Sequence, residues 1–219
     1  KILTGFIPQT SGKASVCGYD VKTQPLEVKR SIGYLPESNP LYQEMYVRES
    51  LAFIADIHKV PNAEQRIEEV IEITGLTPEK HKKIGQLSKG YRQRVGVAQA
   101  IIHDPQVLIL DEPTSGLDPN QLIGIRQLIR DLGKTKTIIL STHILSEVEQ
   151  SCSKVIIINS GTIVAVDSVA NLHHRKRGGE TVAIQVKGAD PLEVRQRLET
   201  VSGVAKVTSA DAPDGSVCF

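Results

Sequence analysis

Tryptophan is absent from this chain of 219 residues, and aromatic residues of all kinds supply only 4% of it. Cysteine occurs three times, at Cys17, Cys152 and Cys218. An odd number of widely separated thiols, none in metal-ligand spacing, excludes a disulfide scaffold and a zinc knuckle and fits a reducing cytosol. No apolar run approaches the roughly 20 residues of a membrane span, so no segment reads as a bilayer-crossing helix. Charge of one sign is not in excess either: 26 Lys+Arg stand against 25 Asp+Glu, a formal net charge of +1. That balance argues against bulk nucleic acid as the main partner. Lys1 is not a methionine, and no charged-then-apolar leader follows it, so no targeting segment is expected. What is present is ordinary: 40% hydrophobic and 23% charged residues, the composition of a soluble globular protein. The length suits one large domain, or one domain and part of another.

Lys1-Ile2-Leu3-Thr4-Gly5 reads as the last turn of a helix ending on glycine, and such a helix needs residues upstream. The sequence is therefore expected to be truncated. Turn residues from Gly12 to Val21 punctuate short strand-like pieces, a small antiparallel section. Ser31–Leu35 reads as an apolar strand halted by Pro36. Val47–His58 carries Leu51, Ile54, Ala55 and His58 on one helical face, and a second helix after Asn62 closes at Gly75. Another helix begins at Leu87-Ser88 and runs to about His103. Val107–Leu110 is continuously apolar, as a strand buried on both faces of a parallel sheet would be. Asp118-Pro119 opens a helix that ends at Gly133, and Thr137–Leu140 is a second buried strand. Val155–Ile158 and Thr162–Val166 flank Asn159-Ser160-Gly161, a hairpin signal. His173–Gly179 reads as a linker. A strand (181–186), a helix (191–200) and a strand (204–208) follow, the β-α-β start of a second domain.

Chemistry concentrates where the apolar strands end. Asp111 and Glu112 follow Val107–Leu110 directly, on the edge where open α/β sheets bind ligands. In a nucleoside triphosphatase, the first carboxylate would hold Mg²⁺ and the second would polarise the attacking water. Two solvated acids at a strand end are the ordinary alternative. Upstream, Leu87-Ser88-Lys89-Gly90-Tyr91 lies at a helix start, where Ser88 can cap and exposed amides favour an anion. A plain serine cap without a ligand is the common use of such a position. His143 ends the strand after Asp111, on the same edge, within reach of a γ-phosphate.

In order and spacing these residues resemble the ATP-binding cassette (ABC) ATPase family, from Lys1 to about Val166. The resemblance implies an α/β fold: a P-loop NTPase-like core with a mostly parallel sheet, an antiparallel β section and a helical subdomain. It implies an ATPase domain over 1–170, a linker over 171–180 and a partial α+β accessory domain over 181–219, similar to that of ABC-2-type exporter ATPases. On this resemblance Leu87, Ser88, Lys89, Gly90 and Tyr91 match the signature that meets the γ-phosphate of ATP held by an opposite subunit. Asp111 matches the Walker B aspartate and Glu112 the catalytic glutamate. Ser115 and Asp118 belong to the D-loop, His143 is the switch histidine, and Glu37 occupies the Q-loop position as a second Mg²⁺ contact. The implied cofactors are ATP and Mg²⁺. The implied partners are a homodimer or paired ATPase subunit and a transmembrane permease, with no nucleic acid. The implied location is the cytoplasmic face of the inner (plasma) membrane, held there peripherally.

Lys89 and Tyr91 depart from the usual Leu-Ser-Gly-Gly-Gln, and Glu37 stands where glutamine is typical. The larger departure is the P-loop, G-x-x-x-x-G-K-[ST]. Ser11-Gly12-Lys13-Ala14 only imitates it: Ile7 sits where the first glycine belongs and Ala14 where the hydroxyl belongs. The motif is expected just upstream of Lys1, and residues 1–219 alone are expected to be inactive. Other functions remain open: a non-catalytic regulatory or binding module, or a soluble ABC ATPase of translation or DNA repair.

Overall fold

The computed structural model describes residues 1–169, 171, 184–186, 190–204, 206–208, 210, 211, 217 and 218. Its contacts divide the chain into two units, Lys1–Ser153 and Lys154–Phe219.

In the first unit Gly5 takes φ +67°. Its N–H donates to Ile2 O at 2.9 Å, while Phe6 N–H donates to Lys1 O at 3.0 Å. That hydrogen-bond pair closes a turn around a left-handed glycine with the bonding pattern of a Schellman motif, although residues 1–5 themselves form a turn rather than a helix. Strands β1 (Ser15–Val16) and β2 (Tyr19–Asp20) pair antiparallel. Cys17 and Gly18 turn between them, both with positive φ, the geometry that matches strand twist in a two-residue hairpin. Helix α1 (Pro25–Ser31) starts on a proline and was not anticipated from the sequence, since seven residues show too little periodicity.

Three parallel strands carry the site: β3 (Ile32–Leu35), β4 (Val107–Asp111) and β5 (Thr137–Ser141), in the order β3-β4-β5. Their register aligns Leu35, Leu110 and Leu140, and pairs Asp111 with Ser141. The segments that leave the three strands therefore emerge on one edge. Leu108 and Leu110 of β4 are fully buried, but Ile139 of β5 is 41% exposed. The expectation of a second fully buried strand is thus corrected. Among the described residues β5 is hydrogen-bonded on its β4 side only.

Helices α2 (Val47–His58), α3 (Ala63–Ile73) and α4 (Lys89–Ile101) bury Val47, Leu51, Ile67, Val70, Ile71 and Val97 in the main core. Helix α4 lies so close to β3 that a Cβ on Gly33 would sit 2.1 Å from Ala100 O. A glycine inside a strand often marks such an approach. Helix α5 (Pro119–Leu132) has Asp118 as its N-cap, and α6 (Leu145–Ser151) follows β5.

In the second unit β6 (Lys154–Asn159) and β7 (Thr162–Ser168) form the predicted antiparallel hairpin, turning through Ser160 and Gly161 at positive φ. The sequence reading had placed this hairpin with residues 1–170. Helix α7 (Pro191–Glu199) is capped by Asp190. Short strands β8 (Gln185–Val186), β9 (Ala210–Asp211) and β10 (Val217–Cys218) pair antiparallel in the order β8-β10-β9. The strand expected over 204–208 does not form at Val204 or at 206–208. Val204 N–H instead closes a turn onto Val201 O at 3.2 Å. The basic run His173–Arg177 and residues 181–183 of the expected strand lie outside the described residues.

Candidate functional site

The expected site residues fall into two groups. The first gathers where the strands end. Asp111 closes β4, and Glu112 N–H continues the ladder by donating to Ser141 O at 2.9 Å. Glu112 then takes φ +48° immediately before Pro113. Left-handed backbone at a non-glycine residue costs about 1–3 kcal/mol and persists where neighbours over-determine it. They do so here. Glu112 Oε1 accepts from His143 N–H at 3.1 Å and lies 2.8 Å from His143 Nδ1. Glu112 Oε2 is buried and has no hydrogen-bond partner among the described residues.

The His143 ring is 77% exposed while the Glu112 side chain is 15% exposed. The hydrogen bond to Glu112, reinforced by its charge, raises the His143 pKa above the usual imidazole value; Glu147 and Glu37 add smaller contributions. Glu37, exposed beyond Pro36 at the end of β3, is thereby within electrostatic reach of His143. Asp111, Glu112, His143 and Glu37 thus share one sheet edge.

The second group is built on two helix starts. Ser88 caps α4, its Oγ accepting from Tyr91 N–H at 3.3 Å and from Gln121 Nε2 at 3.3 Å. Asp118 caps α5, its Oδ1 accepting from Asn120 N–H at 3.0 Å and Gln121 N–H at 2.9 Å. Leu87 is buried, and its carbonyl accepts from the Arg92 guanidinium. Tyr91 is half-buried against the core. A Cβ on Gly90 would fall 2.6 Å from Gln121 Cδ, and one on Gly116 would fall 2.2 Å from Lys89 Nζ. Lys89 therefore folds its ammonium over the turn at Gly116 of its own chain. Ser115 N–H donates to Glu112 O at 3.1 Å, joining the two groups through the backbone. The amides opening α4, with Lys89 and Arg92 beside them, offer an anion both hydrogen-bond donors and positive charge.

Two residues escaped the sequence reading. Gln121 links the caps of α4 and α5 but carries no motif. Glu147, 1% exposed, reads in sequence as one more acid on a short helix, and only its burial marks it.

The donor set fits Mg²⁺ shared with phosphate oxygens. Among the described residues no group of three His, Cys, Asp or Glu side chains could hold a metal alone. Mg²⁺ is commonly held by one or two carboxylates together with substrate phosphates, and Asp111 supplies such a carboxylate. Gly12-Lys13-Ala14 leads into strand β1, whereas a P-loop opens a helix, so this stretch forms no phosphate cradle.

Comparison with known proteins gives a consistent picture. The family model described as "ABC transporter" matches residues 1–115. The bacitracin transport ATP-binding protein BcrA of Bacillus licheniformis is 39% identical over 191 residues, 85% of this chain and 60% of that protein. The ABC transporter ATP-binding protein NatA of Bacillus subtilis is 34% identical over 181 residues, 81% of this chain and 74% of that protein. The solved structure of cbiO1 from Clostridium perfringens, part of the ABC transporter complex cbiONQ, superposes with a TM-score of 0.71 at 28% identity, covering 80% of this chain and 72% of that one. BcrA illustrates a wider pattern: the chain spans between 54% and 61% of the length of several curated relatives.

Proposed function

The chain belongs to the ABC transporter family, and from that premise we propose that it is the ATP-hydrolysing part of a transporter's ATP-binding subunit. The carrying observation is the state of Glu112. One carboxylate oxygen is fixed by His143, and the other is buried without a hydrogen-bond partner among the described residues. A carboxylate held this way keeps one oxygen unpaired, and on our reading that oxygen takes the proton of a water brought to it with the nucleotide, as a general base requires.

On this reading Asp111 holds Mg²⁺, with Glu37 beside it, and the bound ion would neutralise triphosphate charge. Glu112 Oε2 accepts the proton of the attacking water. His143 keeps Glu112 in place through Oε1 and presents an exposed ring, protonated over a wider pH range than a free imidazole, to the γ-phosphate. The start of α4 (Ser88, Lys89, Gly90, Tyr91, anchored by buried Leu87) is the anion-binding surface offered to ATP on a second subunit. Ser115 and Asp118 hold the D-loop between the two groups. The division of labour proposed for the chain is an ATPase domain over 1–170, a linker over 171–180 and a partial accessory domain over 181–219, although by contacts the β6–β7 hairpin groups with the second unit.

The whole protein, on the same reading, works as a pair of ATPase subunits on the cytoplasmic face of a membrane, coupled to a transmembrane permease and peripheral to the bilayer. In support, no described helix is long and apolar enough to cross a membrane, and the relatives named above are transport proteins. Residues 1–219 contain no P-loop, so turnover is proposed for a protein that carries one ahead of Lys1. That gap is also the only feature favouring a non-catalytic module.

Glu112→Gln in the full-length protein is the direct test. Glutamine preserves shape and the His143 contact but cannot act as a carboxylate base, so turnover should fall about 10²–10⁴-fold. With MgATP the variant should elute as a persistent dimer on size-exclusion chromatography. Normal phosphate release, or a monomer in MgATP, would refute both the base and the sandwich.

A further inference from the structure

Burying a carboxylate is costly unless it is paired and hydrogen-bonded, and Glu147 on the first turn of α6 is almost completely enclosed. Its Oε2 accepts from Thr114 Oγ1–H at 2.6 Å and from Thr142 Oγ1–H at 3.1 Å. Thr142 Oγ1 in turn accepts from Ile144 N–H at 3.2 Å, which fixes the turn into α6. Glu147 Oε1 has no hydrogen-bond partner among the described residues. Arg126 Nη2 of α5 lies 3.7 Å from it, and Arg126 Nη1 is held by Gln150 at 2.8 Å. The charge is therefore partly balanced, but the short, directional contacts go to the threonines.

The positions of those threonines give the arrangement its meaning. Thr114 lies two residues after Glu112 in the loop leaving β4, and Thr142 immediately precedes His143 in the loop leaving β5. One oxygen of one side chain thus ties together the two loops whose tips meet as Glu112 and His143. An apolar residue at this point could fill the space but could not accept from both hydroxyls.

We propose that Glu147 is a positioning residue, which fixes Thr114 and Thr142 against each other and so sets the Glu112–His143 contact. The inference rests on reading Glu112 as the base, because positioning matters to turnover only if the positioned group does the chemistry. A misplacement of about 1 Å in a catalytic array can cost about 10²-fold in rate.

The test compares Glu147→Ala, Glu147→Gln and Thr114→Val in the full-length protein. It measures kcat and KM for ATP, and the titration of the His143 ring by NMR in the nucleotide-free protein. Glu147→Ala should lower kcat by about 10²-fold while KM stays within about twofold. The His143 midpoint should move down toward that of a free imidazole as its contact with Glu112 loosens. Thr114→Val should shift both readouts in the same direction by less. Glu147→Gln, whose amide oxygen still accepts from both threonines, should restore most of kcat, and its His143 midpoint should lie above that of Glu147→Ala, short of the parent only by the small direct contribution of the Glu147 charge. A residue needed only for stability would change the melting temperature and leave the His143 midpoint of Glu147→Ala equal to that of Glu147→Gln, since both lose the same charge. The proposal is overturned if Glu147→Ala, or Thr114→Val should the alanine variant not fold, leaves both kcat and the His143 midpoint at parent values. It is equally overturned if Glu147→Gln is as impaired as Glu147→Ala, since charge opposite Arg126 would then be what matters. Should Glu112→Gln turn over normally, the base assignment fails instead, and the His143 titration still decides whether Glu147 positions the loops.

Discussion

Gly33→Ala adds a single methyl group where strand β3 and helix α4 approach closely. The new Cβ would lie 2.1 Å from Ala100 O, 3.0 Å from Ala100 C and 2.9 Å from Leu108 Cδ1, where ordinary contact begins at 3.4 Å. The Leu108 terminus can rotate away. The Ala100 carbonyl cannot, because α4 is packed on both sides by the core, so strand or helix must give by more than about 1 Å. Overpacking of this kind costs about 1–3 kcal/mol, with the upper end appropriate where backbone is the obstacle. Alanine recovers about 0.5–1 kcal/mol of chain entropy relative to glycine. The steric term wins, and a net loss of about 2 kcal/mol is expected. For a unit of this size each kcal/mol lowers the melting temperature by about 2–4 °C, so a thermal scan of the full-length protein should show a drop of several degrees. Glu37 lies two residues beyond the end of the same strand, so turnover should fall as well. A melting temperature indistinguishable from the parent's would show that β3 and α4 are not pressed together as described.

His143→Ala in the full-length protein should lower kcat far more than it weakens ATP binding, since it frees Glu112 Oε1 without touching the anion-binding start of α4; near-normal turnover would make the histidine merely structural. His103, stacked on His58 at 3.8 Å and donating through Nε2 to Ile32 O at 3.1 Å, is held down to about 4, chiefly by burial and then by His58. Lys136 and Arg66 also face it and push in the same direction, while the Ile32 carbonyl opposes them. The folded ring stays neutral where the unfolded ring, with a pKa of about 6.5, gains a proton. Stability should therefore fall as pH drops through that window; His103→Gln should flatten the urea-midpoint profile there, and an unchanged slope would refute the assignment.

Elements with strong local signals were legible in the sequence. Asp118-Pro119 and Gly133 bound α5 as read, Ser160-Gly161 turns the hairpin, and the apolar run of β4 is buried. Asp111, Glu112 and His143 could be placed on one edge because each lies at, or within two residues beyond, the end of a recognisable strand. What could not be read depends on neighbours distant in sequence. Helix α1 is too short to show a period. No strand forms at Val204 or at 206–208, where Val204 N–H instead closes a turn onto Val201 O, which no propensity reveals. Ile139 has the sequence of a central strand but the exposure of an edge. Gly90 reads as a residue that lets amides approach an anion, yet it is also where Gln121 packs, 31 positions away. Glu147 is invisible for the same reason: its partners lie 33 and 5 residues upstream.

The backbone of Glu112 connects these observations to function. A residue before proline is already discouraged from right-handed helical geometry, and at φ +48° Glu112 leaves the strand direction. Three hydrogen bonds hold this conformation: Glu112 N–H to Ser141 O, Ser115 N–H to Glu112 O, and His143 N–H to Glu112 Oε1. Two of the three involve the loop or strand of His143, and Glu147 ties that loop to Thr114. The strain at Glu112 is therefore maintained by the partner that its side chain must meet. A free glutamate at a strand end would sample several rotamers and present either oxygen. This one commits Oε1 to the neighbouring strand's loop and leaves Oε2 buried without a hydrogen-bond partner among the described residues, so on the proposed reading the left-handed backbone selects which oxygen serves as the base.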